Sequence, residues 1–221
     1  MTSESILHIP AKTGSVRAPG KNWADVGGKP SIAWVIEAAI GSRMFSRIIV
    51  STNSSEVRDA VLDYPVELVG QVPSTVIQTT HDVLTLEDYK ARITIMLPTV
   101  ALITQEDIKG ALDESETDPV MIVTRFPYRT DEIVAVNKDG HVFRPFTHGP
   151  AWIHDNDPEY FIDAGALYTF PSNHFHHISE HYVPCLRPYI VPRYRGVDVD
   201  EPEDMELVRL LFYGSKVSGK L

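Results

Sequence analysis

Short β-branched segments alternate with longer segments of helical period along most of this chain, and this alternation restricts the fold more than any other feature. Strands are predicted at residues 6–9, 47–52, 66–69, 93–97, 119–124, 160–170 and 189–192. Helices are predicted after Ser31, which is expected to be the cap, and at residues 56–63, 80–91, 105–114, 172–180 and 201–212. Such alternation is typical of βαβ units that wind a mainly parallel sheet between helices. The sequence therefore predicts a three-layer α/β fold with a mainly parallel sheet.

A different pattern interrupts the alternation between about residues 125 and 170. Segments with strand character at 133–137 and 141–144 bracket a Lys-Asp-Gly turn, which is a strong hairpin signal. The residues that follow turn to His, Pro, Gly, Asn and Asp, which is typical of a surface loop. We therefore expect one domain over residues 1–221. Its small β-rich hairpin and loop extension, at about 125–170, is expected to be a lid or a dimer contact.

Composition argues against several classes of protein. With 43% hydrophobic and 23% charged residues, the chain is expected to be an ordinary globular protein, and no apolar run is long enough to cross a bilayer. The first residues lack the basic and apolar regions of a signal peptide, and a single cysteine cannot form an internal disulfide, so a cytoplasmic location is expected. A net charge of −10 argues against nucleic acid as a partner, because a phosphate backbone favours surplus Lys and Arg.

The loop after the first strand differs from this acidic average. Residues 11–22 read Ala-Lys-Thr-Gly-Ser-Val-Arg-Ala-Pro-Gly-Lys-Asn, which places three cations and two glycines where a parallel strand ends. Doubly wound folds bind ligands at this edge, where backbone N–H groups can approach a phosphate and Lys or Arg supplies the opposite charge. It is not a Walker loop, because Gly-Lys-Ser/Thr is absent. The pattern indicates either a phosphate-binding loop or a basic, glycine-rich surface loop.

This loop resembles the signature of the acylneuraminate cytidylyltransferase family, usually Ala-Arg-x-Gly-Ser-x-Arg-x-x-x-Lys-Asn. The residues that match in register are Ala11, Gly14, Ser15, Arg17, Lys21 and Asn22. Late in the chain, residues 163–165 and 192–195, followed by 198–200, are similar to the branch of the family that activates pseudaminic acid. The resemblance covers nearly the whole chain and is weakest between about residues 66 and 97.

The resemblance implies a Rossmann-like nucleotidyltransferase fold of the glycosyltransferase-A type, commonly a homodimer. It also implies that a hydroxyl of a nine-carbon keto-sugar acid attacks the α-phosphate of CTP and expels pyrophosphate. The expected nucleotide-binding residues are Ala11, Lys12, Gly14, Ser15, Arg17, Lys21 and Asn22. Arg17 and Lys21 are expected to be catalytic as well, because nucleotidyl transfer depends on positioning and on neutralising phosphate charge.

Two carboxylates late in the chain form the second part of the expected site. Asp198 and Asp200 are two residues apart after a predicted strand, so both project to one side of an extended segment. Mg²⁺ prefers carboxylate, phosphate and water oxygens, and the family carries its metal on the matching pair. Asp200 is also expected to be catalytic, as the group that relays the proton of the attacking hydroxyl. The alternative is that Asp200 caps the helix that begins near Pro202.

Three further residues are expected to bind the sugar acid. Asp163 matches the family's position near the substrate. Arg193 and Arg195 flank a tyrosine before the acidic pair, which suits binding of a carboxylate or phosphate. The alternatives are that Asp163 is a turn carboxylate before Gly165 and that the two arginines pair with neighbouring acids.

The chain departs from the family pattern at five positions that bear on activity and substrate. Lys12 stands where arginine is usual, Thr13 for glycine, Asn53 for aspartate, Leu97 for glutamine and Ile103 for arginine. Lysine keeps the charge of arginine but loses its bidentate fork. Two other interpretations therefore stay open: a family member that binds nucleotide without turnover, and a nucleotidyltransferase that acts on another sugar acid such as the eight-carbon Kdo.

Overall fold

A computed structural model of the chain describes residues 4–70, 74–127, 133–145, 159–179 and 186–219. Its strands are β1 (Ser5–Pro10), β2 (Asp25–Val26), β3 (Lys29–Pro30), β4 (Arg47–Thr52), β5 (Glu67–Gly70), β6 (Arg92–Met96), β7 (Val120–Arg125), β8 (Ala135–Val136), β9 (Val142–Phe143), β10 (Phe161–Phe170) and β11 (Arg187–Ile190). Its α-helices are α1 (Ser31–Ser42), α2 (Ser55–Val61), α3 (Val76–Val83), α4 (Gln105–Glu114) and α5 (Pro202–Val217).

Seven of the strands form one sheet in the order β11-β7-β10-β6-β1-β4-β5. Every neighbouring pair is parallel except the two pairs that involve β10, which runs antiparallel to β6 and to β7. This confirms the predicted α/β fold with a mainly parallel sheet. Because β10 is reversed, its first residues lie at the edge where the parallel strands end.

The sheet is covered on both faces. Leu7 and Ile9 of β1 pack into a core with α1, α2 and α4, whereas Ile6 packs on the other face with residues near α3 and with Phe175. All six residues of β1 are buried, which is typical of a central parallel strand enclosed between two layers of helices. These layers give the three-layer arrangement that the alternation of the sequence predicted.

Helix α5 packs at the carboxyl edge of the sheet. Its apolar side chains Met205, Val208 and Phe212 form a third buried cluster with Val26 and Val199, among others. This cluster fixes the start of α5 beside the loop that follows β1. The two segments that the sequence singled out are therefore packed against each other.

Three local predictions were wrong. Ser31 does not cap α1: the N-cap is Pro30, and the Ser31 hydroxyl donates instead to the carbonyl of Pro98 at 3.0 Å. The helix predicted at 80–91 begins earlier, at Val76 after the cap Thr75, and ends at Val83 before a single 3₁₀ turn. Within the helix predicted at 172–180, the described residues contain only a 3₁₀ turn, Phe175–His177.

The predicted hairpin is confirmed. Strands β8 and β9 pair antiparallel, Ala135 with Phe143 and Val136 with Val142. Asn137 closes the turn, since its side-chain oxygen accepts from the backbone N–H groups of Asp139 and His141 at 3.0 and 2.9 Å. Parts of the predicted extension, residues 128–132 and 146–158, lie outside the described residues.

Among the described residues, no helix is both long enough and apolar enough to span a membrane.

Candidate functional site

The loop after β1 is tied to the sheet at its start. The Ala11 N–H donates to the carbonyl of Ser51 at 2.8 Å, and the Ala11 carbonyl accepts from the hydroxyl of Thr52 at 2.6 Å. The buried side chain of Asn22 then donates to the carbonyl of Lys12 at 2.8 Å, which joins the end of the loop to its beginning. Ala11 and Asn22 thus shape the loop, and their predicted part in nucleotide binding stays a prediction.

The middle of the loop is open to solvent. Gly14 has φ +90°, and a side chain added there would meet nothing within 4 Å. The Ser15 hydroxyl accepts weakly from the Ala18 N–H at 3.4 Å, and the side chain of Lys12 is exposed. The Thr13 N–H donates to the side-chain oxygen of Asn53 at 2.8 Å, so a residue after β4 holds the middle of the loop. The backbone around Gly14 leaves room for a ligand.

The cations of the loop meet the acidic segment that precedes α5. Lys21 Nζ lies 3.0 Å from Asp200 Oδ1 and 2.5 Å from the carbonyl oxygen of Val199. Arg17 contacts the same Asp200 oxygen at 3.2 Å and Glu201 Oε1 at 3.1 Å. The hydrogen bond from Lys21, together with the charges of Lys21 and Arg17, holds the pKa of Asp200 below its ordinary value. The structure therefore brings together the three residues predicted to be catalytic.

Asp198 lies deeper than Asp200. Its Oδ1 accepts from the hydroxyl of Thr99 at 2.5 Å, and Thr99 itself is buried in the loop after β6. Burial raises the pKa of Asp198, and the hydrogen bond from Thr99 offsets this only in part. A partly buried carboxylate of this kind is stabilised when a cation lies beside it.

A bulge in β10 makes room for Asp198. The register between β10 and β7 shifts between Asp163 and Tyr168, and within this bulge Gly165 has φ +59°. A Cβ on Gly165 would lie 2.6 Å from Asp198 Oδ2, so only glycine fits both the backbone conformation and the contact.

Asp163 holds the bulge in shape. Its carboxylate accepts from the Gly165 N–H at 2.9 Å and from the hydroxyl of Tyr168 at 2.7 Å. Burial and the neighbouring Asp163 raise the pKa of Tyr168, so the phenol stays protonated and donates. This geometry matches the turn-carboxylate alternative. The expected contact of Asp163 with the substrate stays a prediction.

The two arginines predicted to bind substrate have different surroundings. Arg195 Nε and Nη2 contact the carboxylate of the buried Asp107 at 2.9 and 3.0 Å, and Asp107 in turn caps the start of α4. This matches the alternative that the arginine pairs with an acid. Arg193 is exposed and makes no hydrogen bond or ion pair with the other described residues. Of the two, Arg193 is the one whose guanidinium has no partner to displace within the described part of the chain.

Asp200 does not cap α5, so the helix-cap alternative is wrong. The N-cap is Glu201, and the carboxylate of Asp204 accepts from the backbone N–H groups of Glu201 and Asp200 at 2.7 and 2.9 Å. The side chain of Asp200 is left to face Lys21 and Arg17.

The donor set at this edge fits a hard divalent cation. Asp198 and Asp200 supply two carboxylates on one short segment, and the negative charge of Asp200 contributes to raising the pKa of Asp198. Carboxylate oxygens combined with phosphate oxygens and water form the usual surroundings of Mg²⁺. Among the described residues, no group of three or more His, Cys, Asp or Glu side chains could hold a metal. The pair would therefore need oxygens from a ligand.

Sequence reasoning did not assign roles to Thr99, Gly165, Asn53 and Glu201. The resemblance did include Thr99 and Gly165, so these two carried a signal that was not turned into a role. The contact between Asn53 and Thr13 joins residues 40 apart, and that between Glu201 and Arg17 joins residues 184 apart. Local sequence patterns cannot predict contacts between residues so far apart in the chain.

Comparison with known proteins finds similarity over most of the chain. A family model described as Cytidylyltransferase matches residues 6–164. The chain is 25% identical to the pseudaminic acid cytidylyltransferase of Campylobacter jejuni, over 95% of this chain and 96% of that protein. It is 24% identical to the CMP-N,N'-diacetyllegionaminic acid synthase of Legionella pneumophila, over 92% of this chain and 94% of that one.

A solved structure shares the fold. CMP:2-keto-3-deoxy-manno-octonic acid synthetase, complexed with CTP, superposes with a TM-score of 0.71 over 96% of this chain and all of that one, at 20% identity.

Proposed function

Because the chain belongs to the cytidylyltransferase family, we propose that it transfers CMP from CTP to a nine-carbon keto-sugar acid of the sialic, legionaminic or pseudaminic type. A hydroxyl oxygen of the acid forms a bond to the α-phosphorus, the bond from that phosphorus to the bridging oxygen breaks, and pyrophosphate leaves. The two relatives that match over nearly their whole length are named for acids of this type.

The convergence of Lys21 and Arg17 on Asp200 is the observation that carries this proposal. Two cations lie at the mouth of a glycine-containing loop whose backbone is open, which is the arrangement that a triphosphate requires. Both cations are now held by carboxylates. A bound triphosphate with Mg²⁺ would take over the cations, because it carries more negative charge than a single carboxylate does.

Asp198 and Asp200 are the residues that would hold Mg²⁺. The ion, when bound, neutralises phosphate charge and helps to orient the triphosphate. The burial that raises the pKa of Asp198 suits this role, since a nearby dication favours the ionised carboxylate. Thr99 and Gly165 would keep Asp198 in place through the hydrogen bond and the close contact described above.

Lys21 would offset the charge that develops on the α-phosphate. Its side chain is the least exposed of the three, at 20%, compared with 60% for Arg17 and 49% for Asp200. A charge at a partly desolvated position acts more strongly than one in bulk water. Arg17, more exposed, would contact the outer phosphates. Asp200 would accept the proton of the attacking hydroxyl.

Arg193 would bind the carboxylate of the sugar acid. It lies on the segment that leads to Asp198 and is exposed, with no pairing among the described residues to break. Asp163 is exposed, and its carboxylate accepts hydrogen bonds from Gly165 and Tyr168. The carboxylate oxygens can accept a further hydrogen bond from a sugar hydroxyl. Both residues lie at the carboxyl edge of the sheet.

The hairpin formed by β8 and β9 would form a homodimer contact. Val136, Val142 and Phe143 are 66%, 65% and 49% exposed, and a two-stranded hairpin is marginally stable without further packing. Light scattering tests this: the protein should have the mass of a dimer, and Phe143→Glu should lower that mass at the same concentration. A dimer that withstands Phe143→Glu together with Val142→Glu contradicts the contact.

The experiment that tests the function measures pyrophosphate release from CTP and Mg²⁺ with a panel of sialic, legionaminic and pseudaminic acids. Turnover with one or more of the acids is expected, and omission of the acid is the control. A folded protein that releases no pyrophosphate with any of them rejects the proposal.

Two other functions are supported by particular observations. The structural neighbour is named for an eight-carbon keto acid, so Kdo belongs in the same panel. The departures at Lys12, Asn53, Leu97 and Ile103 favour a nucleotide-binding protein without turnover. CTP binding, detected as a rise in thermal stability, with no pyrophosphate release and no change in Asp200→Ala, would identify this case.

A further inference from the structure

A large cavity lies at the opposite end of the sheet from the candidate site. It has a volume of about 910 Å³ and is lined by residues at the start of β1 and β6 and at the ends of α1 and α4. Ser5 and Arg92 are direct neighbours across β1 and β6, at the first position of each strand. Five residue steps along β1 separate this end from the carboxyl edge, which is roughly 17 Å. The cavity is therefore distinct from the site at Lys21.

Arg92, which lines this cavity, has one buried hydrogen-bond donor that is not used by the other described residues. Its Nη1 donates to the carbonyl of Leu112 in the last turn of α4 at 3.0 Å, but its buried Nε has no partner among the described residues. A buried guanidinium N–H without a partner costs free energy, so such groups are normally satisfied. The Nε side of a guanidinium is suited to two parallel hydrogen bonds from a carboxylate.

Two other groups add to this anion-binding character. Ser5 is 6% exposed, and its hydroxyl has no hydrogen-bond partner among the described residues. Arg43 follows α1 in a left-handed conformation, with φ 56°, and lines the same cavity. Ser5, with its buried hydroxyl, and two arginines therefore form part of the wall of one cavity.

The rest of the lining excludes a highly charged anion. Glu4, Asp113 and Glu116 also line the cavity, so its lining carries three negative charges and two positive ones. A triphosphate or pyrophosphate would be repelled by these carboxylates. Hydroxyl groups would be favoured, because ionised carboxylates only accept hydrogen bonds and a hydroxyl donates one. Met44 and Phe45 add apolar surface against which the carbon skeleton of a sugar can pack.

We propose that this cavity is a second ligand site, which binds a polyhydroxylated monocarboxylate, a sugar acid, with its carboxylate on Arg92, Arg43 and Ser5 and its hydroxyls on Asp113 and Glu116. The site does not depend on catalysis at the carboxyl edge. It would take the same chemical class as the proposed acceptor, at a place from which no group can reach the α-phosphate of a nucleotide bound near Lys21.

An NMR titration of the full ¹⁵N-labelled chain tests the site. The probe is N-acetylneuraminate, raised to about 10 mM, which is tenfold above a weak dissociation constant of about 1 mM. Saturable shifts are expected at the amides of Ser5, Arg43 and Arg92. The methyl ester of the probe, which lacks the negative charge, should not reproduce them. The amides of Gly14 and Gly165 report binding at the carboxyl edge separately. Binding in the cavity can therefore be judged even if the proposed function is wrong.

Matched variants test the assignment of residues. Arg43→Ala, at an exposed position that should not disturb folding, and Arg92→Lys, which keeps the charge without the fork, should each weaken binding at least about threefold. Arg58→Ala, an exposed arginine on α2, is the control and should leave binding unchanged.

Three outcomes would overturn the proposal. One is the absence of shifts around the cavity, whether or not the carboxyl edge responds. The second is equal binding of the methyl ester, which would remove the carboxylate from the recognition. The third is equal binding of inorganic phosphate, which would make the cavity a general oxyanion site rather than a sugar acid site.

Discussion

Two clusters of ion pairs in this molecule use the same chemistry in different surroundings. The Arg47 cluster consists of Arg47, Glu67 and Asp88. Arg47 contacts both oxygens of Glu67 at 2.7 and 2.8 Å and Asp88 at 2.5 Å. The other oxygen of Asp88 accepts from the N–H and the hydroxyl of Thr85 at 2.8 and 2.9 Å.

The Lys21 cluster consists of Lys21, Arg17, Asp200 and Glu201. Here Asp200 Oδ1 receives both cations, and the side chains of Arg17, Asp200 and Glu201 are about half exposed or more. In the Arg47 cluster, Glu67 is also about half exposed, at 48%, but Asp88 is only 7% exposed and both of its oxygens accept hydrogen bonds. A cluster built around a buried, saturated carboxylate stabilises the fold, whereas cations around an exposed carboxylate can exchange it for a phosphate. This difference predicts that substitutions in the Lys21 cluster change activity and those in the Arg47 cluster change stability.

The largest effect is expected for Lys21→Ala. If Lys21 offsets the charge that develops on the α-phosphate, as proposed, its removal should lower kcat/KM for CTP by about 10³. The melting temperature should change little, since Asp200 keeps Arg17. The measurement is steady-state pyrophosphate release with thermal unfolding of the same sample. Lys90→Ala, which removes an exposed lysine paired with Glu87, is the control. If Lys21→Ala fails to fold, the main role of Lys21 is to stabilise the fold, as is expected of the Arg47 cluster.

Asp198→Asn should separate metal binding from folding. The amide keeps the shape and removes the buried charge whose pKa is raised, so the protein without Mg²⁺ should be at least as stable as wild type. Stabilisation by Mg²⁺ with CTP should be lost, and turnover should fall by about 10². Thermal unfolding with and without Mg²⁺ and CTP measures the two stability effects, and pyrophosphate release measures turnover. Full Mg²⁺ stabilisation in Asp198→Asn would contradict the assignment of the metal site.

The fold could be predicted from the sequence because its signals are local. The β-branched pattern predicted β4 and the helical period predicted α4, each with its observed bounds, and the Lys-Asp-Gly turn predicted the hairpin. The failures occurred where distant contacts decide the local structure. Phe175 is buried against Phe170 and His81, at ring distances of 5.3 and 4.7 Å, which anchors a 3₁₀ turn where helical periodicity predicted a longer helix.

The candidate site divides in the same way. Lys21, Arg17 and the acidic pair lie in short motifs, and the sequence placed them at one edge of the sheet. The pairing of Arg195 with Asp107 is different, because it joins residues 88 apart and depends on how α4 packs. The contacts of Asn53 with Thr13 and of Glu201 with Arg17 likewise join residues far apart in sequence, 40 and 184 residues. The spacing of charged residues along the sequence does not predict which of them form ion pairs in the folded protein.

The Arg47 cluster should give a pH-dependent stability. Burial alone would raise the pKa of Asp88, but hydrogen bonds from Thr85 and the charge of Arg47 outweigh it and hold the pKa below its ordinary value. The stabilisation is therefore complete above the unfolded pKa of about 3.9 and is lost as the pH falls through the lower folded pKa.

Asp88→Asn should cost about 2 kcal/mol at pH 7, and its difference from wild type should narrow in acid. Urea unfolding between about pH 3 and pH 7 measures this, with Asp59→Asn, an exposed carboxylate on α2, as the control. Pyrophosphate release at pH 7 should be retained. A difference that stays constant over the whole pH range would mean that Asp88 does not act through its charge.

The smallest effect is expected for Glu201→Gln in the Lys21 cluster. Under the proposed function, Glu201 would compete with the triphosphate for Arg17, and both side chains are at least half exposed, so the ion pair between them is weak. Without this competitor, KM for CTP should fall by about twofold with kcat unchanged, and the difference should vanish near 0.5 M salt, where charges at this separation are screened. Initial rates at low and high salt measure it. A rise in KM would show that Glu201 positions Arg17 for the phosphates, which would make this part of the cluster resemble the Arg47 cluster.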